Sequence, residues 1–142
     1  MRVLLVRHGT AGDRGEWQGD DRLRPLDEQG TRQAEALAGT LAELGAQTLY
    51  SSPALRCVQT LEPAATQLGL AIETRTELFE DAHKDDVLEL LEEVIAPPAA
   101  LCTHGELFEE LLPGRECEKG AIWVVEVEDG EVRPERYLPP PA

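Results

Sequence analysis

The run from Val3 to Val6, followed at once by Arg7-His8-Gly9, is the stretch that most restricts how this chain can fold. Four consecutive aliphatic residues are typical of a buried strand and are too few for a convincing helix. Gly9 then allows a tight turn directly after a histidine. The pattern predicts a core strand whose carboxyl end presents a guanidinium and an imidazole, at the edge where open α/β sheets bind ligands.

The same arrangement recurs at two later points in the chain. A predicted strand over 48–50 is followed by Ser51-Ser52-Pro53, where we expect Ser52 to cap the next helix and Pro53 to start it. A predicted strand over 99–102 runs into Thr103-His104-Gly105 and then into a helix over 106–112. The sequence therefore predicts three joints at which a strand ends in polar residues.

The other predicted elements alternate between helix and strand. A helix capped by Asp27 ends at Gly45, and a short strand over 70–74 precedes a helix over 85–95 that turns Ile95 inward. A closing hairpin over 121–127 and 132–137 turns at Asp129-Gly130. This order predicts an α/β fold, a three-layer domain with a largely parallel central sheet flanked by helices on both faces. At 142 residues we expect one domain, 1–142.

The helix after Pro53 places an arginine near its start. Its apolar spacing predicts a buried stripe and puts Arg56 and Gln59 on a different face. The stripe consists of Ala54, Leu55, Val58, Leu61, Ala65 and Leu68. An arginine close to the positive end of the helix dipole favours an anionic ligand over a purely structural role.

Composition excludes several classes of partner. A formal net charge of −15 argues against nucleic acid, which is bound by basic surfaces. No apolar run approaches the ~20 residues of a membrane span, and the chain does not begin like a secretory signal, so we expect a cytoplasmic protein. Three cysteines without a C-x-x-C pair favour neither a disulfide framework nor a zinc site.

Two arginines and two histidines, Arg7, His8, Arg56 and His104, fall at the three strand-end joints. Because such joints share one edge of a sheet, we expect these residues to converge. Guanidinium groups give bidentate hydrogen bonds to phosphoryl oxygens, and an imidazole can attack phosphorus or donate to it. His83, in a charged stretch, is expected at a solvated helix start and not as a metal ligand.

Two of these stretches resemble signatures of the histidine phosphatase (phosphoglycerate mutase-like) superfamily. They are Arg7-His8-Gly9 and the string from Ser51 to Thr60, which contains Ser-Ser-Pro, Arg56 and Gln59-Thr60. The segment Arg24-Pro25-Leu26-Asp27 with Gly30 is similar to the short SixA-like phosphohistidine phosphatases. It also resembles the phosphatase half attached to some Nudix hydrolases, which act on nucleotide derivatives.

The resemblance implies a role for each site residue. His8 is the implied nucleophile, which forms a phosphohistidine, and Arg7, Arg56 and His104 are the implied ligands of the phosphoryl oxygens. Glu80 follows Leu78-Phe79, where the family commonly has Leu-x-Glu, and is the expected proton donor, with Glu77 and Asp81 as alternatives. No metal and no cofactor are implied.

The implied activity is that of a phosphomonoesterase or phosphoamidase, with a phosphohistidine protein or a phosphorylated small molecule as substrate. A nucleotide or metabolite phosphatase of the same fold is the alternative, as is a non-catalytic phosphate-binding regulatory module. The loop over 11–24 is expected to cover the first strand's end, where Trp17 either lines the substrate pocket or covers the core edge.

Overall fold

Six strands and four α-helices make up residues 1–141, the part of the chain that the computed structural model describes. The strands are β1 (Arg2–Arg7), β2 (Thr48–Ser51), β3 (Ile72–Thr74), β4 (Ala99–Thr103), β5 (Ile122–Glu128) and β6 (Glu131–Leu138). The helices are α1 (Glu28–Glu43), α2 (Leu55–Leu68), α3 (Lys84–Leu91) and α4 (Gly105–Leu111). Short 3-10 turns lie at Asp21–Leu23 and Thr76–Leu78.

The strands form one sheet in the order β3-β2-β4-β1-β5-β6. The four strands from β3 to β1 are parallel to one another, while β5 and β6 are antiparallel to their neighbours. The hairpin between β5 and β6 turns at Asp129 and Gly130, with φ angles of 51° and 76°. Both angles lie in the left-handed region that the turn of a tight hairpin requires, so the prediction at this dipeptide is confirmed.

Strand β1 shows how the sheet separates two layers of helices. Val3 and Leu5 pack into the core that α3 and α4 cover, whereas Leu4 and Val6 pack against α1 and α2. Successive side chains of a strand point to opposite faces, so an unbroken aliphatic run is what a strand buried on both faces needs. The three-layer α/β architecture predicted from the sequence is confirmed.

Asp27 fastens helix α1 to the loop that follows β1. Its carboxylate accepts hydrogen bonds from the backbone N–H of Gly30 (2.8 Å) and Gly12 (3.0 Å) and from the Thr10 hydroxyl (2.5 Å). One side chain thereby caps the helix, as predicted, and fixes the backbone just beyond His8. The chain leaves β1 on a path set by the start of α1.

Helix α2 begins later and buries a different face than predicted. It starts at Leu55 with Ala54 as N-cap, and Ser52 is not the capping residue. Leu55 and Val58 are only half-buried, whereas Arg56, Cys57 and Thr60 are buried. Apolar spacing misplaced this face because a polar site lies beneath the first turn of the helix.

Helix α3 also departs from its predicted length. It ends at Leu91, and Ile95 is 95% exposed and does not point inward. A turn follows the helix before Pro97 and Pro98, and within this segment Val94 still packs against the core while Ile95 faces solvent. Among the described residues, no helix is both long and apolar enough to cross a membrane.

Gly30 makes the tightest contact between α1 and the loop after β1. A Cβ atom built there would lie 2.0 Å from the backbone oxygen of Thr10. We expect Gly30→Ala to lower the free energy of unfolding by at least about 1–3 kcal/mol, the usual cost of overpacking. Urea denaturation measures this change in the free energy of unfolding.

Gly39 is the matched control in the same helix, because it is exposed and a Cβ there would meet nothing within 4 Å. Gly39→Ala should stabilise the protein by roughly 0.5–1 kcal/mol. Equal effects of the two substitutions would contradict the close packing of Gly30 on Thr10.

Candidate active site

The structure brings together the four residues predicted to bind a phosphoryl group. His8 follows β1, Arg56 lies in the first turn of α2, and His104 follows β4. The rings of His8 and His104 meet edge to face with centroids 5.4 Å apart, and Arg56 Nη2 lies 3.4 Å from His104 Nδ1. These groups share the carboxyl edge of the parallel strands.

The backbone next to His8 holds its imidazole in one tautomer. His8 Nδ1 lies 2.7 Å from the carbonyl oxygen of Gly9, and since a carbonyl can only accept, Nδ1 carries the proton. Burial, with smaller contributions from the charges of Arg56 and Arg7, lowers the pKa of His8 to about 3 despite this hydrogen bond. At neutral pH the ring is therefore uncharged, with the lone pair on Nε2.

Ser52 orients the imidazole ring of His104 through a hydrogen bond. Its Nε2 lies 2.8 Å from Ser52 Oγ, while its Nδ1 faces Arg56. Because a guanidinium can only donate, Nδ1 is the accepting nitrogen and Nε2 donates to the serine. Burial lowers the pKa of His104 to about 3, with further contributions from His8 and Arg56. Ser52, predicted as a helix cap, instead fixes a ring of the site.

Arg56 is a buried cation, with only 1% of its side chain exposed. Its Nη1 donates to the backbone oxygen of Asp21 (2.8 Å), and its Nη2 lies 3.2 Å from Asp21 Oδ2. Glu80 Oε2 is 3.7 Å from the same Nη2. The guanidinium therefore faces carboxylates from two separate segments of the chain.

Arg7 reaches the site across the start of α4. Its Nη1 donates to the backbone oxygen of Cys117 (2.6 Å). A Cβ atom on Gly105 would lie 2.7 Å from Arg7 Nη2, so the glycine after His104 makes room for this guanidinium. The Nε atoms of Arg7 and Arg56 are buried without a hydrogen-bond partner among the described residues.

Thr60 joins the two signature segments, and Gln59 joins the second of them to the segment that leads into α1. Thr60 Oγ1 accepts a hydrogen bond from the backbone N–H of Gly9 (3.0 Å) and donates to the Arg56 carbonyl (2.6 Å). Gln59 Oε1 accepts from the backbone N–H of Leu26 (2.9 Å). Helix α2 thus holds both the turn after His8 and the segment that leads into α1.

The three candidate proton donors lie in different surroundings. Glu80 is at the site, with Oε2 3.7 Å from Arg56. Glu77 instead pairs with Arg75 at 2.6 Å, and this hydrogen bond lowers the pKa of Glu77. Asp81 is exposed and forms no ion pair with the described arginines. Of the three, Glu80 alone forms an ion pair with Arg56 among the described residues.

Sequence reasoning missed four charged residues around the site. Arg14 and Asp21 come from the loop after β1, Arg24 donates to Asp21 Oδ1 (2.9 Å), and Lys119 acts electrostatically on His8. With Arg7 and Arg56, five of the 13 basic residues of an acidic chain gather here. The loop carries no periodic pattern that could have identified Arg14 or Asp21.

His83 and Trp17 lie outside this cluster. His83 is exposed at the start of α3, as expected, and its Nδ1 lies 2.9 Å from Glu110. Trp17 belongs to neither core cluster and is 38% exposed; it lines a surface cavity of about 260 Å³ together with Arg24 and Pro25. No described group of three His, Cys, Asp or Glu side chains is placed to hold a metal ion.

Comparison with known proteins relates this geometry to one family. The model of the histidine phosphatase superfamily (branch 1) matches residues 3–87. An 8-oxo-(d)GTP phosphatase from Mycolicibacterium smegmatis is 40% identical over 156 aligned residues, which cover 98% of this chain and 48% of that protein. The chain therefore spans about half the length of this curated relative.

Solved structures share the fold. The protein histidine phosphatase SixA, complexed with tungstate, is 26% identical with a TM-score of 0.81 and covers 99% of this chain and 97% of its own. A mycobacterial glucosyl-3-phosphoglycerate phosphatase in complex with VO3 has a TM-score of 0.78 at 17% identity over 97% and 98% of the two chains, which shows the fold alone.

The family model covers more than half of the chain, and both segments that suggested the resemblance, Arg7-His8-Gly9 and Ser51 to Thr60, lie within the match. The chain therefore belongs to the histidine phosphatase superfamily.

Proposed function

We propose that this chain hydrolyses phosphoryl compounds through a phosphohistidine formed on His8. The observation that carries the proposal is the hydrogen bond from His8 Nδ1 to the Gly9 carbonyl, at 2.7 Å. It leaves Nε2 with a free lone pair on a ring that stays neutral at physiological pH, as a nitrogen nucleophile requires. A binding module that never turns over has no need of this arrangement.

In the first step His8 Nε2 attacks phosphorus, and the bond from phosphorus to the leaving group breaks. Arg7, which is half-buried, and Arg56, which is buried, hold the phosphoryl oxygens, and their guanidinium groups stabilise the charge that develops there. His104 Nδ1 faces the same space, and an arriving dianion favours its protonation, so that it then donates to the phosphoryl group. Ser52 keeps this nitrogen aimed at the site.

In the second step water attacks the phosphohistidine and releases inorganic phosphate. Glu80 supplies the proton that the leaving group takes in the first step, and its carboxylate accepts a proton from the attacking water in the second. Its position, 3.7 Å from Arg56 Nη2, supports this role, because it lies beside a group that binds the phosphoryl oxygens. His8 returns to its neutral form.

Two substrate classes are each favoured by a separate comparison. The likeness to SixA, a protein histidine phosphatase, favours a phosphohistidine protein. The 40% identity to an 8-oxo-(d)GTP phosphatase favours a nucleotide or another small phosphorylated molecule. The chemistry at His8 is the same for both, so the substrates differ only in the leaving group.

Removal of the nucleophile tests the covalent step. His8→Ala should abolish turnover of p-nitrophenyl phosphate and labelling of the protein by ³²P-phosphorylated substrate. In the unmodified protein the label should survive alkali and be lost in acid, because a phosphoramidate is acid-labile.

His83→Ala is the control, since His83 is exposed and lies outside the site. It should keep both activity and label. Wild-type turnover by His8→Ala, or label that resists acid, would refute the phosphohistidine intermediate.

A second prediction concerns Glu80. Glu80→Gln cannot deliver a proton, so phosphorylation of His8 by an alkyl phosphate should slow by roughly 10²–10⁴-fold. The same step with p-nitrophenyl phosphate should change little, since p-nitrophenolate leaves without a proton. Rapid-quench measurement separates phosphorylation of His8 from its hydrolysis, which should also slow.

Glu77→Gln is the matched control, because Glu77 pairs with Arg75 away from the site. Wild-type rates of His8 phosphorylation by Glu80→Gln with both substrates would remove Glu80 from the mechanism.

The three histidines should titrate differently. Burial lowers the pKa of His8 and of His104 to about 3, so both rings should remain neutral from pH 8 down to about 4. The hydrogen bond to Glu110 raises the pKa of His83 above its usual 6.5, so His83 should be protonated first as pH falls. Imidazole ¹⁵N NMR measures this directly, and protonation of His8 near pH 6.5 would contradict the neutral nucleophile.

A further inference from the structure

Arg14 occupies a position that the phosphoryl-binding residues leave open. Its Nη2 lies 3.2 Å from Glu80 Oε2, and its Nε lies 3.7 Å from Asp21 Oδ2. These are the two carboxylates that face Arg56 Nη2, at 3.7 Å and 3.2 Å. Arg14 and Arg56 therefore contact the same two carboxylates, and Arg56 is the arginine proposed to bind the transferred phosphoryl group.

Arg56 and Arg14 differ in side-chain exposure and therefore in which part of a substrate they can contact. Arg56 is 1% exposed and fixed within the site, whereas Arg14 is 59% exposed on the loop that covers it. The transferred phosphoryl group is surrounded by Arg7, Arg56 and His104, so Arg14 is left to face the remainder of the substrate. Arg14 also contributes to lowering the pKa of His104, in keeping with its short distance from the site.

The position of Glu80 indicates which part of the substrate Arg14 faces. As the proposed proton donor, Glu80 must face the leaving atom, and Arg14 is the cation that donates a hydrogen bond to it, at 3.2 Å. A cation adds little for a leaving group that departs neutral after protonation, such as an alcohol or an imidazole. It stabilises a leaving group that departs with negative charge, as a phosphate does.

We infer that Arg14 binds a second phosphate, on the leaving group, and that the substrate is a phosphoanhydride such as a nucleoside diphosphate. The inference rests on the proposed function. His8 Nε2 attacks the terminal phosphorus, and the bridging P–O bond breaks. The bridging oxygen departs with the electron pair and takes the proton from Glu80, while Arg14 neutralises the negative charge that the shorter phosphate still carries. Water then cleaves the P–N bond and releases inorganic phosphate.

The test compares two substrates in two variants. With GDP, Arg14→Ala should lower kcat/KM by about 100-fold, the low end of the loss seen for a donor aimed at developing negative charge. With p-nitrophenyl phosphate, which has no second phosphate, the change should stay within about threefold. Arg22→Ala is the matched control, because Arg22 lies on the same loop, is 62% exposed and pairs only with Asp20 among the described residues. It should alter neither rate.

Each other outcome overturns a particular statement. Equal losses on GDP and p-nitrophenyl phosphate would show that Arg14 acts through Glu80 or Arg56, and no loss on either would place Arg14 outside the site. A wild-type protein that is phosphorylated by p-nitrophenyl phosphate and by a phosphohistidine peptide but not by GDP would refute the anhydride while keeping the proposed function. Failure of all three to phosphorylate His8 would refute the proposed function itself.

Discussion

The buried charge of Arg56 is the constraint around which the site is organised. A guanidinium removed from water costs several kcal/mol unless charges and hydrogen bonds replace its hydration. Asp21 meets this requirement from the loop after β1, and Glu80 from the segment after β3. Two stretches far apart in sequence are thus drawn to the first turn of α2, and both of them border the place where substrate must enter.

Much of the fold was predictable because buried strands on both faces leave an unmistakable aliphatic pattern. Val3 to Val6 marked the central strand, and Asp27 and Asp129-Gly130 marked a helix start and a hairpin turn through local chemistry. Errors arose where tertiary contacts override local preference. Arg56 is buried on α2 although apolar spacing placed it elsewhere, and Ser52 serves His104 in place of the helix.

The site was predictable only where strand ends carry it. Arg7, His8, Arg56 and His104 are brought together because their strands are neighbours in a parallel arrangement. Arg14 and Asp21 come from a loop whose path depends on Arg24 and on the cap of α1, and neither has a signature in sequence. Loop geometry of this kind follows from the assembled core, so no local pattern could reveal it.

The position of β1 in the sheet bears on how the chain acquires its shape. Its neighbours are β4 and β5, so Val3 to Val6 find their partners only in residues 99–102 and 122–125. Contacts so distant along the chain close slowly, since the entropy of a long loop is lost before any pairing is gained. During synthesis this aliphatic strand emerges before both of its partners, and it stays unpaired and exposed to chaperones and to misassociation until they have followed.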